Sequence, residues 1–219
     1  VSNWDDPRFP TVRGIRRRGM TVEGLKNFII SQGPSKNIIN LDWNIIWSAN
    51  KKIIDPIAPR HTALASKDLV TVNIVDGPEL HAEKKAKHKK NPAVGEKDVY
   101  FSSKVLIEQV DAEAIKDGEE VTFMDWGNII CTKVNKDADG KVVSIDAKLH
   151  LEGDFRKTEK KLTWLAAEKN VPVELVDCDH LITKDKLDEG DNFEDFLTPE
   201  TRFTTEAVAD VNVEQMKVG

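Results

Sequence analysis

The chain has 219 residues, 39% hydrophobic and 32% charged, with a formal net charge of −6. No run of about 18 apolar residues occurs, so no helical membrane span is expected. Two cysteines, Cys131 and Cys178, are too few for a disulfide framework and fit a reducing compartment. The charge is polarised. Residues 1–65 carry ten Lys/Arg against five Asp/Glu, a net of +5, whereas residues 185–219 carry three against ten, a net of −7. An acidic total therefore leaves room for a basic face that binds a polyanion.

Residues 4–19, Trp-Asp-Asp-Pro-Arg-Phe-Pro-Thr-Val-Arg-Gly-Ile-Arg-Arg-Arg-Gly, read as an extended, proline-stiffened entry into a helix with a basic end. Thr21 opens a helix that Ser31-Gln-Gly-Pro closes. A second helix over 42–54 lines up Leu41, Ile45, Ile46, Ala49 and Ile53, with Trp43 and Trp47 flanking them. Beyond Leu64 the period shortens to two. Strands are predicted at 69–75, 99–101, 104–107, 120–124, 128–134, 142–149, 160–164 and 171–176, with hairpin turns at 125–127 and 136–140. Such close spacing predicts an antiparallel β-barrel. From Asp185 the chain turns acidic, with one helical turn at 192–197, and Met216-Lys-Val-Gly reads as the approach to another strand. The fold class is mainly β: a short N-terminal α-helical subdomain, then an antiparallel β-barrel region, truncated at the C-terminus.

Catalytic signals are absent. The five histidines show neither triad nor metal spacing, no glycine-rich phosphate loop occurs, and no pair of carboxylates stands out. Both cysteines read as core thiols. Three basic clusters remain. Arg13, Arg16, Arg17 and Arg18 suit phosphate contact; a solvated helix start with one salt bridge to Asp5 or Asp6 is the plainer reading. Residues 81–97 hold Lys84, Lys85, Lys87, Lys89, Lys90 and Lys97, either an RNA-facing run or a solvated loop. Arg156, Lys157, Lys160 and Lys161 follow Phe155, which is either a stacking surface or core. Trp126 and Trp164 read as core.

Residues 4–19, together with Asp-Pro-Ile-Ala-Pro-Arg-His-Thr-Ala-Leu at 55–64, resemble eukaryotic cytosolic glutamyl-tRNA synthetase. The resemblance extends through Lys-His-Lys-Lys-Asn-Pro-Ala-Val-Gly at 87–95, Met-Asp-Trp-Gly-Asn at 124–128, Leu-Thr-Trp-Leu at 162–165 and His-Leu-Ile-Thr-Lys at 180–184. It places the first stretch just after the KMSKS-type loop of a class I enzyme. It implies a stem-contacting helical subdomain at 1–65, an anticodon-binding barrel at 66–184 and the acidic start of a second, incomplete barrel at 185–219. It implies tRNA contact by Arg13, Arg16, Arg17, Arg18, Lys87, Lys89, Lys90, Lys97, Arg156, Lys157, Lys160 and Lys161, with Lys97 reading a base. Neither a HIGH-type nor a KMSKS-type motif is present, so this segment is expected to be inactive alone. ATP and magnesium would belong to an upstream catalytic domain. Implied partners are tRNA(Glu), that catalytic domain and a multi-synthetase assembly protein, in the cytoplasm and away from membranes. The glutaminyl enzyme shares Trp-Asp-Asp-Pro-Arg and Arg-Arg-Arg-Gly and is the nearest alternative. A non-catalytic β-barrel scaffold that binds protein through its acidic tail is the other.

Overall fold

A computed structural model describes residues 3–217; Val218 and Gly219, part of the expected strand approach, lie outside the described residues. The chain divides into two compact units. Among the described residues, one takes in residues 3–58 together with Val176–Thr204; the other takes in Pro59–Leu175 and residues 205–217.

The first unit holds three helices: α1 (Val12–Arg17), α2 (Val22–Ser31) and α3 (Trp43–Ile54). Each is capped by the side chain before it. Thr11 accepts from the Gly14 N–H, Thr21 from Gly24, and Asp42 from Asn44, which satisfies helix donors that have no intrahelical partner. Ile15, Met20 and Ile46 form a small core with Leu25, Phe28, Trp43 and Trp47 around it. Buried Asn50 ties the helices together: its Oδ1 accepts from the Thr21 N–H at 3.0 Å and its Nδ2 donates to the Gly19 carbonyl at 3.0 Å. Ahead of α1, Arg8 grips Asp6 through Nε at 2.8 Å and Nη2 at 2.7 Å. The chain packs so closely there that a Cβ on Gly14 would fall 2.5 Å from the Asp6 carbonyl.

The second unit is built on β1 (Ala63–Ala65), β2 (Val70–Ile74), β3 (His81–Ala86), β4 (Glu96–Phe101), β5 (Lys104–Ile107), α4 (Gln109–Ala114), β6 (Glu120–Phe123), β7 (Gly127–Lys136), β8 (Val142–His150), β9 (Lys161–Leu162) and β10 (Leu165–Ala166). β11 (Val171–Cys178) and β12 (Arg202–Ala209) follow, with residues 176–178 and 202–204 counted in the first unit. A seven-stranded sheet runs in the order β10-β5-β2-β8-β7-β6-β9. Its inner face is dry: Val70, Val105, Ile107, Val121 and Ile145 are each 0% exposed. Ala112 and Ile115 join this core, and Trp164 donates from Nε1 to the Met124 carbonyl at 2.8 Å. The sheet curls. Register shifts at Cys131/Lys133 and Asn135/Lys136 bend β7. The two edge strands, β9 and β10, are separated in sequence by Thr163 and Trp164 alone, so the two edges approach within about 11 Å at Leu162 and Leu165.

Three expectations need correction. The sheet is mixed, not antiparallel: β2 runs parallel to β8 and β6 parallel to β9, because long connections bring these strands back in the same direction. The strand expected at 160–164 is two strands, since Trp164 turns into the core between them. The lysine-rich loop at 81–97 is a hairpin, β3 paired antiparallel to β4. The acidic segment also holds β12, which pairs with β1 in a three-stranded sheet of order β1-β12-β11. Phe193–Phe196 is a single 3-10 turn capped by Asn192, and Val211–Gln215 is another.

Candidate nucleic-acid interface

The first cluster sits on α1 and its C-cap. The Arg13 and Arg16 side chains are exposed and form no hydrogen bond or ion pair among the described residues. Arg17 pairs loosely with Asp5 at 3.4 Å, both largely in water. Arg18 turns back. It donates to the Cys178 carbonyl at 3.1 Å, and its guanidinium lies 5.4 Å from the Trp47 ring and 5.8 Å from the Trp43 ring. The helix thus presents two uncommitted guanidiniums, one weakly held and one packed.

The second cluster sits on the β3–β4 hairpin. Side chains of a strand alternate between faces, and opposite residues share one. Lys84 therefore meets Asp98 across the ribbon at 2.8 Å, which raises the Lys84 pKa. Lys85 stands opposite Lys97 and lies over the Phe101 ring at 5.4 Å. At the tip, Asn91 caps the 3-10 turn Pro92–Val94, and Gly95 takes φ 98°, a conformation that suits glycine. The Lys87 N–H donates to the Gly95 carbonyl and the Lys87 carbonyl accepts from the Arg60 N–H, both at 2.8 Å. Lys89 reaches Asp125 in the β6–β7 turn at 2.8 Å. Lys90 is exposed, with no partner for its ammonium among the described residues.

Lys97 stands one residue into β4, and its side chain is buried. It is 8% exposed, donating from Nζ to the Arg60 carbonyl at 2.8 Å and standing 3.5 Å from Asp210 Oδ2. Asp210 also accepts from the Thr62 N–H at 2.8 Å, from His61 Nδ1 at 3.1 Å and from Asn212 Nδ2 at 2.9 Å. Burial raises the Asp210 pKa, but these donors outweigh it and hold the carboxyl below its ordinary value. Asn212 completes the clasp by bonding the N–H and the carbonyl of Asp98, at 3.1 and 2.8 Å. Asp210 and Asn212 carry no local signal of this role, because their partners lie more than a hundred residues upstream.

The third cluster follows β8. Phe155 is 57% exposed, which settles its two readings against core. The Arg156 guanidinium lies 5.7 Å from its ring centroid, and Lys157 is exposed. Lys160 is held by Glu119 and Lys161 donates to the Thr158 carbonyl. Trp164 is buried and Trp126 half-buried, both packed in the sheet core.

Among the described residues, no three His, Cys, Asp or Glu side chains are placed to hold a metal ion. A cleft lined by Lys97, Tyr100, Trp164, Lys169 and Asp210 has a volume of about 50 Å³, too small for a nucleotide. Cys131 is buried, its thiol pushed up to about 12 by burial and then by Glu119, which removes it as a nucleophile.

Residues 58–150 match the family described as tRNA synthetases class I (E and Q), anti-codon binding domain, and residues 161–219 match a second anti-codon binding domain of the same class. Residues 1–56 match its catalytic domain. The chain belongs to the class I glutamyl/glutaminyl-tRNA synthetase family. Across its whole length it is 61% identical to the Saccharomyces cerevisiae protein named Glutamate--tRNA ligase, cytoplasmic, and 59% identical to the Schizosaccharomyces pombe protein named Probable glutamate--tRNA ligase, cytoplasmic. It is 49% identical, again over its whole length, to the mouse Bifunctional glutamate/proline--tRNA ligase. It spans 30% and 31% of the length of the two yeast relatives and 15% of the mouse one.

Proposed function

We propose that this chain is the tRNA-gripping and anticodon-reading part of a cytosolic glutamate–tRNA ligase, working with a catalytic domain of the same polypeptide that supplies ATP-dependent activation of glutamate. Identity of 59–61% over the entire chain to two yeast relatives carrying that name is the observation behind this reading. The same relatives favour glutamate over glutamine as the amino acid and the cytoplasm as the compartment. The bifunctional mouse relative makes assembly with other synthetase activities part of the proposal. In it the curled sheet acts as a barrel, with residues 161–166 bridging its edges.

The geometry sorts the twelve candidate side chains. Arg13, Arg16, Lys90 and Lys157 are free to meet phosphates. Arg17 and Lys89 would exchange exposed ion pairs, each worth about 0–1 kcal/mol, for phosphate contacts. Arg156 carries its charge on an aromatic ring. The Lys87 backbone anchors the hairpin tip, leaving its half-buried side chain beside the contact surface. Arg18, Lys97, Lys160 and Lys161 are engaged with protein partners and act by holding helices, hairpin and loop in shape, Lys97 as a positioning residue rather than a base reader.

Filter binding of the chain to tRNA(Glu) and to an anticodon-swapped tRNA, between 50 and 200 mM salt, tests the reading. Contacts to several phosphates should weaken affinity by roughly 10²-fold or more over that range. Cognate tRNA should be preferred. A protein-binding scaffold would show neither tRNA preference nor salt slope. Pyrophosphate exchange with glutamate should stay at background.

A further inference from the structure

We propose that Phe155 and Arg156 form a rigid stacking platform for one unpaired base of an RNA loop, held out by the polar network beneath residues 151–160. The proposal rests on the tRNA-binding reading and gives it a site.

Phe155 stands more than half exposed beside a core that takes in Phe101, Phe123 and Trp164. Its exposure is not slack in the chain, because the loop is pinned along its length. The Gly153 N–H donates to the His150 carbonyl at 3.0 Å, and Asp154 accepts from the Arg156 N–H at 3.0 Å and the Lys157 N–H at 2.9 Å. A Cβ on Gly153 would fall 2.2 Å from Glu120 Oε1 and 2.7 Å from Asn128 Nδ2, so a larger residue there would displace these hydrogen-bonded side chains.

Below the loop, buried Thr158 shares its hydroxyl hydrogen between the Phe155 carbonyl at 3.0 Å and Thr122 Oγ1 at 2.6 Å. Thr122 donates to Asn128 Oδ1, Asn128 Nδ2 donates to Glu120 Oε1, and His150 Nδ1 meets the same Glu120 oxygen, each at 2.7 Å. Lys161 closes the far side on the Thr158 carbonyl. A backbone fixed at Phe155 keeps the ring from folding inward, so stacking costs little ordering entropy.

The chemistry selects the partner. An exposed ring with a guanidinium 5.7 Å over it and Lys157 next in line offers π-stacking, cation–π contact and a phosphate-binding charge within three residues. A paired base in a duplex has no free face, so the occupant is an unstacked base of a loop.

The test uses the 219-residue chain and tRNA(Glu) carrying 2-aminopurine at one anticodon-loop position at a time. One position should change fluorescence on binding. Phe155→Ala should abolish that change and weaken binding roughly tenfold, with Phe155→Tyr restoring both. Thr158→Val, checked for native circular dichroism, should blunt the same signal. Unchanged affinity and fluorescence in Phe155→Ala, with tRNA still bound, would overturn the platform and leave the tRNA reading standing. A full signal in Thr158→Val would overturn the positioning role of the network. Absence of tRNA binding by the wild-type chain would remove both.

Discussion

Phe123, Ile107 and Ile145 of the seven-stranded sheet are shut away from water, whereas in the helical unit Ile29, Ile30 and Ile38 stand 57%, 76% and 100% exposed. The contrast follows from geometry. A curled sheet folds its apolar face onto itself, so alternate residues of every strand share one interior. Three helices of 6, 10 and 12 residues have too few turns to enclose their own stripes. They lean on polar ties, Asp6 with Arg8 and Asn50 with Thr21 and Gly19. The sheet specifies itself by burial; the helical unit does so by capping and hydrogen bonding.

The largest effect should come from the sheet. Phe123→Ala should lower stability by about 3–5 kcal/mol, read by denaturant unfolding; a loss below 1 kcal/mol would undo the claim of a closely packed interior. Next comes the polar clasp in the same unit. Asp210→Asn leaves the Lys97 ammonium buried without its carboxylate and should cost about 3 kcal/mol at pH 7. The Asp210 pKa is depressed on folding, so its contribution is complete above the ordinary carboxylate range and fades as pH falls through the folded value. The gap between variant and wild type should therefore narrow below about pH 4, and a gap constant down to pH 2 would contradict this. In the helical unit, Asn50→Ala should cost about 1–3 kcal/mol by orphaning buried groups; thermal melting checks whether a polar tie there rivals an apolar residue of the sheet. Smallest of all, Ile38→Ser should stay within about 0.5 kcal/mol, and a large loss would mean that this isoleucine is covered.

Much of this was legible in the sequence where one face is buried. The helix at 42–54 and the strands near 70–74, 127–136 and 142–150 follow from apolar periodicity, and Asp137 and Gly140 announce their turn. The β3 strand was not legible: His-Ala-Glu-Lys-Lys-Ala is almost wholly exposed and carries no alternation of apolar and polar residues. Nor was the parallel pairing of β2 with β8, since register across some seventy residues leaves no local mark. At the candidate site, the clusters themselves could be read, but not which charges are committed. Lys97 and Lys90 look alike in sequence; Asp210, 113 positions beyond Lys97, separates them in space. Phe155 was ambiguous because its exposure depends on Thr158 and Gly153, whose partners lie on β6, β7 and β8.

The two-residue connection at Thr163-Trp164 also sets an order of events during synthesis. β5 gains its outer neighbour only from β10, and β6 only from β9. Until residue 166 has left the ribosome, two strands rich in valine, isoleucine and phenylalanine are bare edges, open to pairing with other chains. A product that ends shortly before Lys161 would therefore be more aggregation-prone than one ending shortly after Ala166, even though the two differ by only a few residues.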